Sequence, residues 1–346
     1  MFQFEPALLR ACWILVGPTA CGKTAVALEL AAHLPAEIVA LDSMTLYRGM
    51  DIGTAKPSII ERQRVPHHLF DVLEPHEEYN VAQYVAAARA CCREILQRGR
   101  IPLLVGGTGM YLRALLRGLN TVPPADPELR RALEHKAHEQ GAEIVHRELA
   151  TIDPIAAQKL PPSDLRRVIR ALEVYYLTGQ RWSMLPLQGP RPPHERPVYA
   201  FWLDPPRPWL HARIDARVVS MFKQGWLQEV LRLRARGPLS KTARQAVGYA
   251  EILGWLAAHE GHQPMVLGTG PEVPIPADLI ARIQARTRQF AKRQWTWFRH
   301  LEELHRVPLT GDETPQQVAA LLLSRAAKQP AVEVTTRSDD SLPTTM

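Results

Sequence analysis

Cysteine is scarce in this chain: there are four in 346 residues, with no C-x-x-C pair and no zinc-ligand spacing. That argues against a zinc site and is consistent with a reducing cytosol. Long apolar runs are lacking too. None reaches the ~18–20 residues that spanning a bilayer requires. Residues 1–16 are no secretory signal, because their apolar run is short and leads straight into a glycine turn. The expectation is a soluble, cytoplasmic chain with no membrane partner. No extended apolar seam demands a dimer, so a monomer is expected. Charge is only mildly one-sided, with a formal net charge of +7. That is moderate for a nucleic-acid binder, and its distribution matters more than its sum. The hydrophobic fraction of 46% suffices for a full core, and the length allows two domains or one with a large insertion.

The chain is organised around Gly17-Pro18-Thr19-Ala20-Cys21-Gly22-Lys23-Thr24. Before it, Cys12–Val16 has the length and apolarity of a buried strand. After it, Ala25, Leu28, Ala31 and Ala32 recur at helical spacing until Pro35. Strand, glycine-rich turn and helix together make a phosphate site, because backbone N–H groups and the positive end of the helix dipole face a common anion. Lys23 adds a mobile positive charge, and the Thr24 hydroxyl can hold Mg²⁺.

Ile38–Leu41 reads as a second buried strand and ends at Asp42-Ser43, so Asp42 points into the ligand crevice of an open α/β sheet. Ile101–Val105 reads as a third and runs into Gly106-Gly107-Thr108-Gly109. Hydrolytic P-loop enzymes often carry an acidic magnesium ligand at such a strand end. Glycines and a threonine stand there instead, which favours a reaction whose phosphate is a leaving group. Residues 43–57 read as a loop rather than core, and 79–98 as an amphipathic helix. His67-His68 reads as structural rather than metal-binding, since no third ligand is evident.

Beyond Gly118 the pattern turns helical. Asp126-Pro127 starts one helix and Pro161-Pro162-Ser163-Asp164 another, Leu165 to Leu177, with Arg166, Arg167 and Arg170 near its beginning. Cations there oppose the helix dipole, which leaves a solvated face or a phosphate-backbone contact as readings. Residues 183–197 read as a linker, and Val198–Leu203 as a strand returning to the sheet. Arg213 and Arg217, one turn apart on the next helix, could reach a common anion. Residues 259–277 read as a surface loop. The helix at 279–300 holds six basic residues between Arg282 and Arg299 and no acidic one, with Ile283, Phe290 and Trp297 as a narrow packing stripe. Its one-sign surface, including Arg286, Arg288, Lys292, Arg293 and Trp295, suits a nucleic-acid backbone and unstacked bases. The expected fold is α/β: a P-loop NTPase-like parallel sheet flanked by helices, with an inserted helical subdomain. Residues 1–122 and 197–326 would form the core and 123–196 the insertion, with a disordered tail at 327–346.

Several segments together resemble one family. Gly17–Thr24, the run from Asp42 to Pro57 (DSMTLYRGMDIGTAKP), Gly106-Gly107-Thr108, Arg170–Val174, Val247-Gly248-Tyr249 and Thr287–Gln294 (TRQFAKRQ) occur in this order. The chain is similar to the tRNA dimethylallyltransferases (tRNA isopentenyltransferases) over about residues 10–310. The resemblance implies transfer of a dimethylallyl group from dimethylallyl diphosphate to N6 of adenosine 37 in tRNA, with Mg²⁺. It also implies Asp42, Thr108 and Arg217 as catalytic residues, Asp42 taking the proton of the adenine amine. Thr19 and Arg217 would contact the diphosphate, and Thr108 the tRNA near the target base. Further tRNA contacts are implied at Asp42, Ser43, Met44 and Thr45, at Arg166, Arg167, Val168, Ile169 and Arg170, and at Gln245, Ala246, Val247, Gly248, Tyr249 and Ala250. Arg130 is a further one. Two residues depart from the family pattern: Cys21 stands where serine is usual, and Arg166 where glutamine is common. A guanidinium cannot accept a hydrogen bond, so Arg166 cannot read a base as glutamine would. The rival reading, a P-loop small-molecule kinase with Asp42 activating an acceptor hydroxyl, accounts for residues 11–118 but not for the basic helix.

Overall fold

The computed structural model describes residues 4–186, 188–259 and 275–329. Most of the expected loop at 259–277 and of the polar tail lies outside the described residues. The described residues divide into two compact units, those of 118–189 in one and those of 4–117 with 190–329 in the other.

The larger unit is built on six parallel strands: β1 (Trp13–Val16), β2 (Ala36–Leu41), β3 (His67–His68), β4 (Ile101–Gly106), β5 (Tyr199–Asp204) and β6 (His305–Pro308). Their order is β3-β2-β4-β1-β5-β6. β1 and β2 are buried along their whole length, as strands covered by helices on both faces must be. Gly106 pairs with both Val16 and Leu41, so β1, β2 and β4 end level with one another. The turns that follow them, at Gly17, Asp42 and Gly107, therefore start from one edge of the sheet. β6 was not foreseen. It is an edge strand with only Val307 buried, and so carries almost no apolar pattern.

His67 and His68 form β3 and have structural partners. His67 Nδ1 lies 2.7 Å from Val65 O, and His68 Nε2 lies 2.7 Å from the buried Glu37 carboxylate. The expected linker is a correction. Its last part belongs to the larger unit, because the buried guanidinium of Arg191 donates to Leu116 O and to Phe4 O.

The basic helix spans Ala277–Arg299, and its packing stripe is broader than Ile283, Phe290 and Trp297 suggest. Leu279, Ile283, Ala291, Gln294, Trp295 and Phe298 are buried, while Phe290 and Trp297 are only half-buried at the flanks. Trp295, expected on the basic surface, instead points inward and donates from Nε1 to Asp204 at 2.6 Å.

In the smaller unit, Asp126 caps the Pro127–Gln140 helix and Asp164 caps Leu165–Thr178. With Ala142–Ile152 and Pro154–Lys159 between them, they enclose an apolar core that includes Leu133, Val145, Leu149, Val168, Ile169 and Leu172. Val168 and Ile169 spend their side chains on that core, which leaves them no surface for a nucleic acid. The carboxylate of Glu173, fully buried, accepts from Asp126 N, Arg130 and Arg170, each at 2.7 Å. Arg130 and Arg170 thus serve the unit's own structure, whereas Arg166 and Arg167 stay exposed.

Candidate active site

The glycine loop joins β1 to the Lys23–His33 helix. Gly22 enters that helix at φ 93°, where a side chain would be strained, and Ala20 also adopts a left-handed φ of 65°. Lys23 folds back over the loop, its Nζ donating to Gly17 O at 2.9 Å and Pro18 O at 2.8 Å. Burial lowers the pKa of this ammonium, and Cys21 and Asp42 oppose the shift. On the expectation that this loop holds a diphosphate, replacing Lys23 with methionine should weaken binding of inorganic diphosphate about 10–100-fold, the worth of one charge-assisted contact, as titration calorimetry would read.

Asp42 leaves the end of β2 beside this loop. Its Oδ1 accepts from Met44 N at 2.8 Å. Loss of water raises the carboxyl's pKa above the usual aspartate value, while the Met44 N–H, Lys23 and Arg217 pull it back. Thr108 braces the segment from β4, its Oγ1 accepting from Ser43 N at 3.0 Å. Gly107 N and Thr108 N both donate to Leu41 O, at 3.1 and 3.2 Å. This contact dictates glycine at 106, where a Cβ would fall 2.0 Å from Leu41 O.

Arg217 comes from the Arg207–Lys223 helix. Burial lowers its pKa, and the neighbouring Cys21 and Asp42 favour its charged form. With Thr24, Asp51, Ile52, Lys56 and Met221 it lines a cavity of about 760 Å³ beside the glycine loop. Arg213 does not share that position. Its Nε donates to Ala20 O at 3.0 Å and its guanidinium covers the Trp209 ring, so it holds the loop's backbone instead.

The segment at 43–57 is not simply a surface loop, because Leu46, Tyr47 and Met50 are fully buried. Two polar anchors hold it. Lys56, with its side chain 1% exposed, bonds Tyr47 O, Asp51 and Asp71. Glu229 accepts from Asp51 N at 2.9 Å, Ile52 N at 2.7 Å, Gly53 N at 3.3 Å and Tyr249 Oη at 2.5 Å. Sequence reasoning missed Glu229. The available signal was a carboxylate one helical turn beyond Trp226, on the face shared with Leu233.

Other residues expected to meet tRNA have mixed fates. Gln245 and Ala250 are exposed and Val247 is half-buried, whereas Ala246, Gly248 and Tyr249 are buried. Arg288 pairs with Asp215, and Arg286 lies 3.7 Å from Glu251. Lys292 and Arg293 are exposed, Arg293 lying over the Phe290 ring. Thr45 is buried, and its hydroxyl has no partner among the described residues. Gln294 was also missed as a site residue: its Oε1 accepts from Thr19 N at 2.8 Å and its Nε2 donates to Gly107 O at 3.0 Å.

The sequence pattern of the IPP transferase family matches residues 45–301, and that of isopentenyl transferases matches residues 10–67. The chain belongs to the IPP transferase family. Among its relatives is the tRNA dimethylallyltransferase of Methylibium petroleiphilum, 47% identical over 314 residues, covering 89% of this chain and 92% of that protein. A solved tRNA isopentenylpyrophosphate transferase from Bacillus halodurans is 34% identical, with a TM-score of 0.62 over 91% of this chain and 96% of its own. A eukaryotic dimethylallyltransferase solved acting on tRNA is 25% identical, with a TM-score of 0.70, covering 92% of this chain and 80% of that one. In this IPP transferase, Gly17–Thr24, Asp42, Thr108 and Arg217 all belong to the larger unit, on turns and a helix at the carboxyl edge of the sheet.

Proposed function

We propose that this chain transfers a dimethylallyl group from dimethylallyl diphosphate to N6 of adenosine 37 in tRNA, giving N6-dimethylallyladenosine and diphosphate. The observation that carries this reading is a carboxylate, Asp42, close enough to Lys23 of the glycine loop to feel its charge, with the next residue, Ser43, donating its N–H to Thr108. The relatives' activity on tRNA supports it. A small-molecule kinase is not favoured by them.

In the reaction, the N6 nitrogen forms a bond to C1 of the donor as the C1–O bond breaks. The electron pair of that bond leaves on the diphosphate, and the N6 proton goes to Asp42. An exocyclic amine is a poor nucleophile, so a carboxylate within hydrogen-bond reach both orients it and accepts its proton. Thr108 braces Ser43, and through it the carboxylate's backbone. Lys23, Arg217 and the loop's N–H groups stabilise the departing charge. The target base must leave the anticodon-loop stack to reach them.

Mg²⁺ fits this site as a partner of the diphosphate. Among the described residues no three His, Cys, Asp or Glu side chains converge on one point. Thr24 lines the cavity and offers one hydroxyl. One protein oxygen together with phosphate oxygens and water is a donor set that octahedral Mg²⁺ accepts. When bound it would supply positive charge to the leaving group.

The test is incubation of the protein with Mg²⁺, labelled dimethylallyl diphosphate and unmodified tRNA carrying adenosines at positions 36 to 38. Label should enter the tRNA without ATP and vanish when adenosine 37 is replaced by guanosine. Consumption of ATP with no label in tRNA would overturn the proposal.

A further inference from the structure

Gln294 sits on the inward face of the Ala277–Arg299 helix and is 3% exposed. Both ends of its amide are used, and both partners are main-chain groups of the active site. Oε1 accepts from Thr19 N in the glycine loop, and Nε2 donates to Gly107 O in the turn after β4. A Cβ on residue 107 would lie 2.2 Å from Nε2, so glycine there makes room for the amide. Thr108, the next residue, bonds Ser43 N beside Asp42. One side chain therefore bridges the segment that grips phosphate and the segment that braces the carboxylate.

We propose that Gln294 is a positioning residue that sets the leaving diphosphate at its working distance from Asp42. This rests on the transfer reading above. Thr19 N is committed to Gln294, so the loop meets its anion through its later N–H groups and through side chains. Those groups turn with the Thr19 peptide, and their aim depends on where the amide holds it. A shift of about 1 Å in such an alignment can lower a rate 10²-fold without removing any group that touches substrate.

Two variants test this. Gln294→Leu removes both bonds at similar volume. Gln294→Glu keeps an acceptor for Thr19 N but, when ionised, turns an oxygen towards Gly107 O. Steady-state transfer of labelled dimethylallyl groups would be measured from pH 5.5 to 8.5, with tRNA affinity and thermal unfolding alongside. The expected result is a fall in kcat of about 10–100-fold for both variants at neutral pH, with donor KM and tRNA affinity within about threefold of the parent.

The glutamate variant adds a readout that loss of packing would not move. Protonated, its carboxyl donates to Gly107 O and accepts from Thr19 N, as the amide does. Its rate relative to the parent should therefore rise as pH falls, while the leucine ratio stays flat. Lys23 and Asp42, the shifted titratable groups at the loop, are present in both proteins, so each rate is taken as a ratio to the parent at the same pH. Parent-like kcat in both variants, or a flat glutamate ratio, would overturn the proposal. If the parent itself transfers no label, the functional reading fails and takes the proposal with it.

Discussion

Asp42→Asn should lower turnover about 10²–10⁴-fold, the range lost when a positioned general base is removed. Binding of tRNA should persist, because asparagine keeps an oxygen for the Met44 N–H and leaves Thr108 on Ser43. The variant should fold at least as stably as the parent. Asp42's carboxyl titrates above its ordinary value, chiefly because burial penalises the charge. The folded state then binds that proton more tightly than the unfolded chain does. The group's contribution favours folding at low pH and declines as pH rises through the raised pKa, so a neutral amide removes a cost at neutral pH. For the rate the dependence has the opposite sense: kcat of the parent should climb with pH through Asp42's raised pKa, and the asparagine variant should lose that limb. Single-turnover transfer across pH, together with thermal unfolding, measures both. Near-normal turnover by the asparagine variant with tRNA still bound would remove Asp42 from the base role.

Glu229→Ala should be destabilising by about 3 kcal/mol, since it leaves one buried and three part-buried donors without partners at once. Three are successive main-chain N–H groups, of Asp51, Ile52 and Gly53, and the fourth is the Tyr249 hydroxyl. Trp226 adds to the effect. A Cβ on Gly53 or Gly248 would fall about 2 Å from its ring, so loop, indole and Tyr249 segment pack with no spare space. Asp51 and Ile52 line the cavity beside Thr24 and Arg217, and loosening them should also raise donor KM. Chemical denaturation gives the stability change. Glu229→Gln, which keeps one acceptor oxygen, should fall between the alanine variant and the parent. An alanine variant as stable as the parent would mean that the loop is held by Lys56 and its partners instead.

Much of this protein was written locally in its sequence. The strand–loop–helix at Gly17–Thr24, the apolar strands leading to Asp42 and Gly106, and the capped helices at Asp126 and Asp164 each depend on residues within one or two turns of each other. Short-range sterics, capping and periodicity decide such features, and they were legible. The run at 42–57 and the TRQFAKRQ segment pointed to the family for the same reason, being contiguous.

What only the tertiary structure decided is where polar groups find partners. Gln294 meets Thr19, Glu229 meets residues 51–53, and Trp295 meets Asp204, all far apart along the chain. A helical period says which face is apolar, but not which buried amide or carboxylate will be matched by a distant backbone. Arg130 and Arg170 make the same point: in sequence they are free cations, and in the fold they neutralise Glu173. Burial penalises an unpaired charge or donor, so most such groups take a partner from what packing brings near, a fact that no local pattern contains.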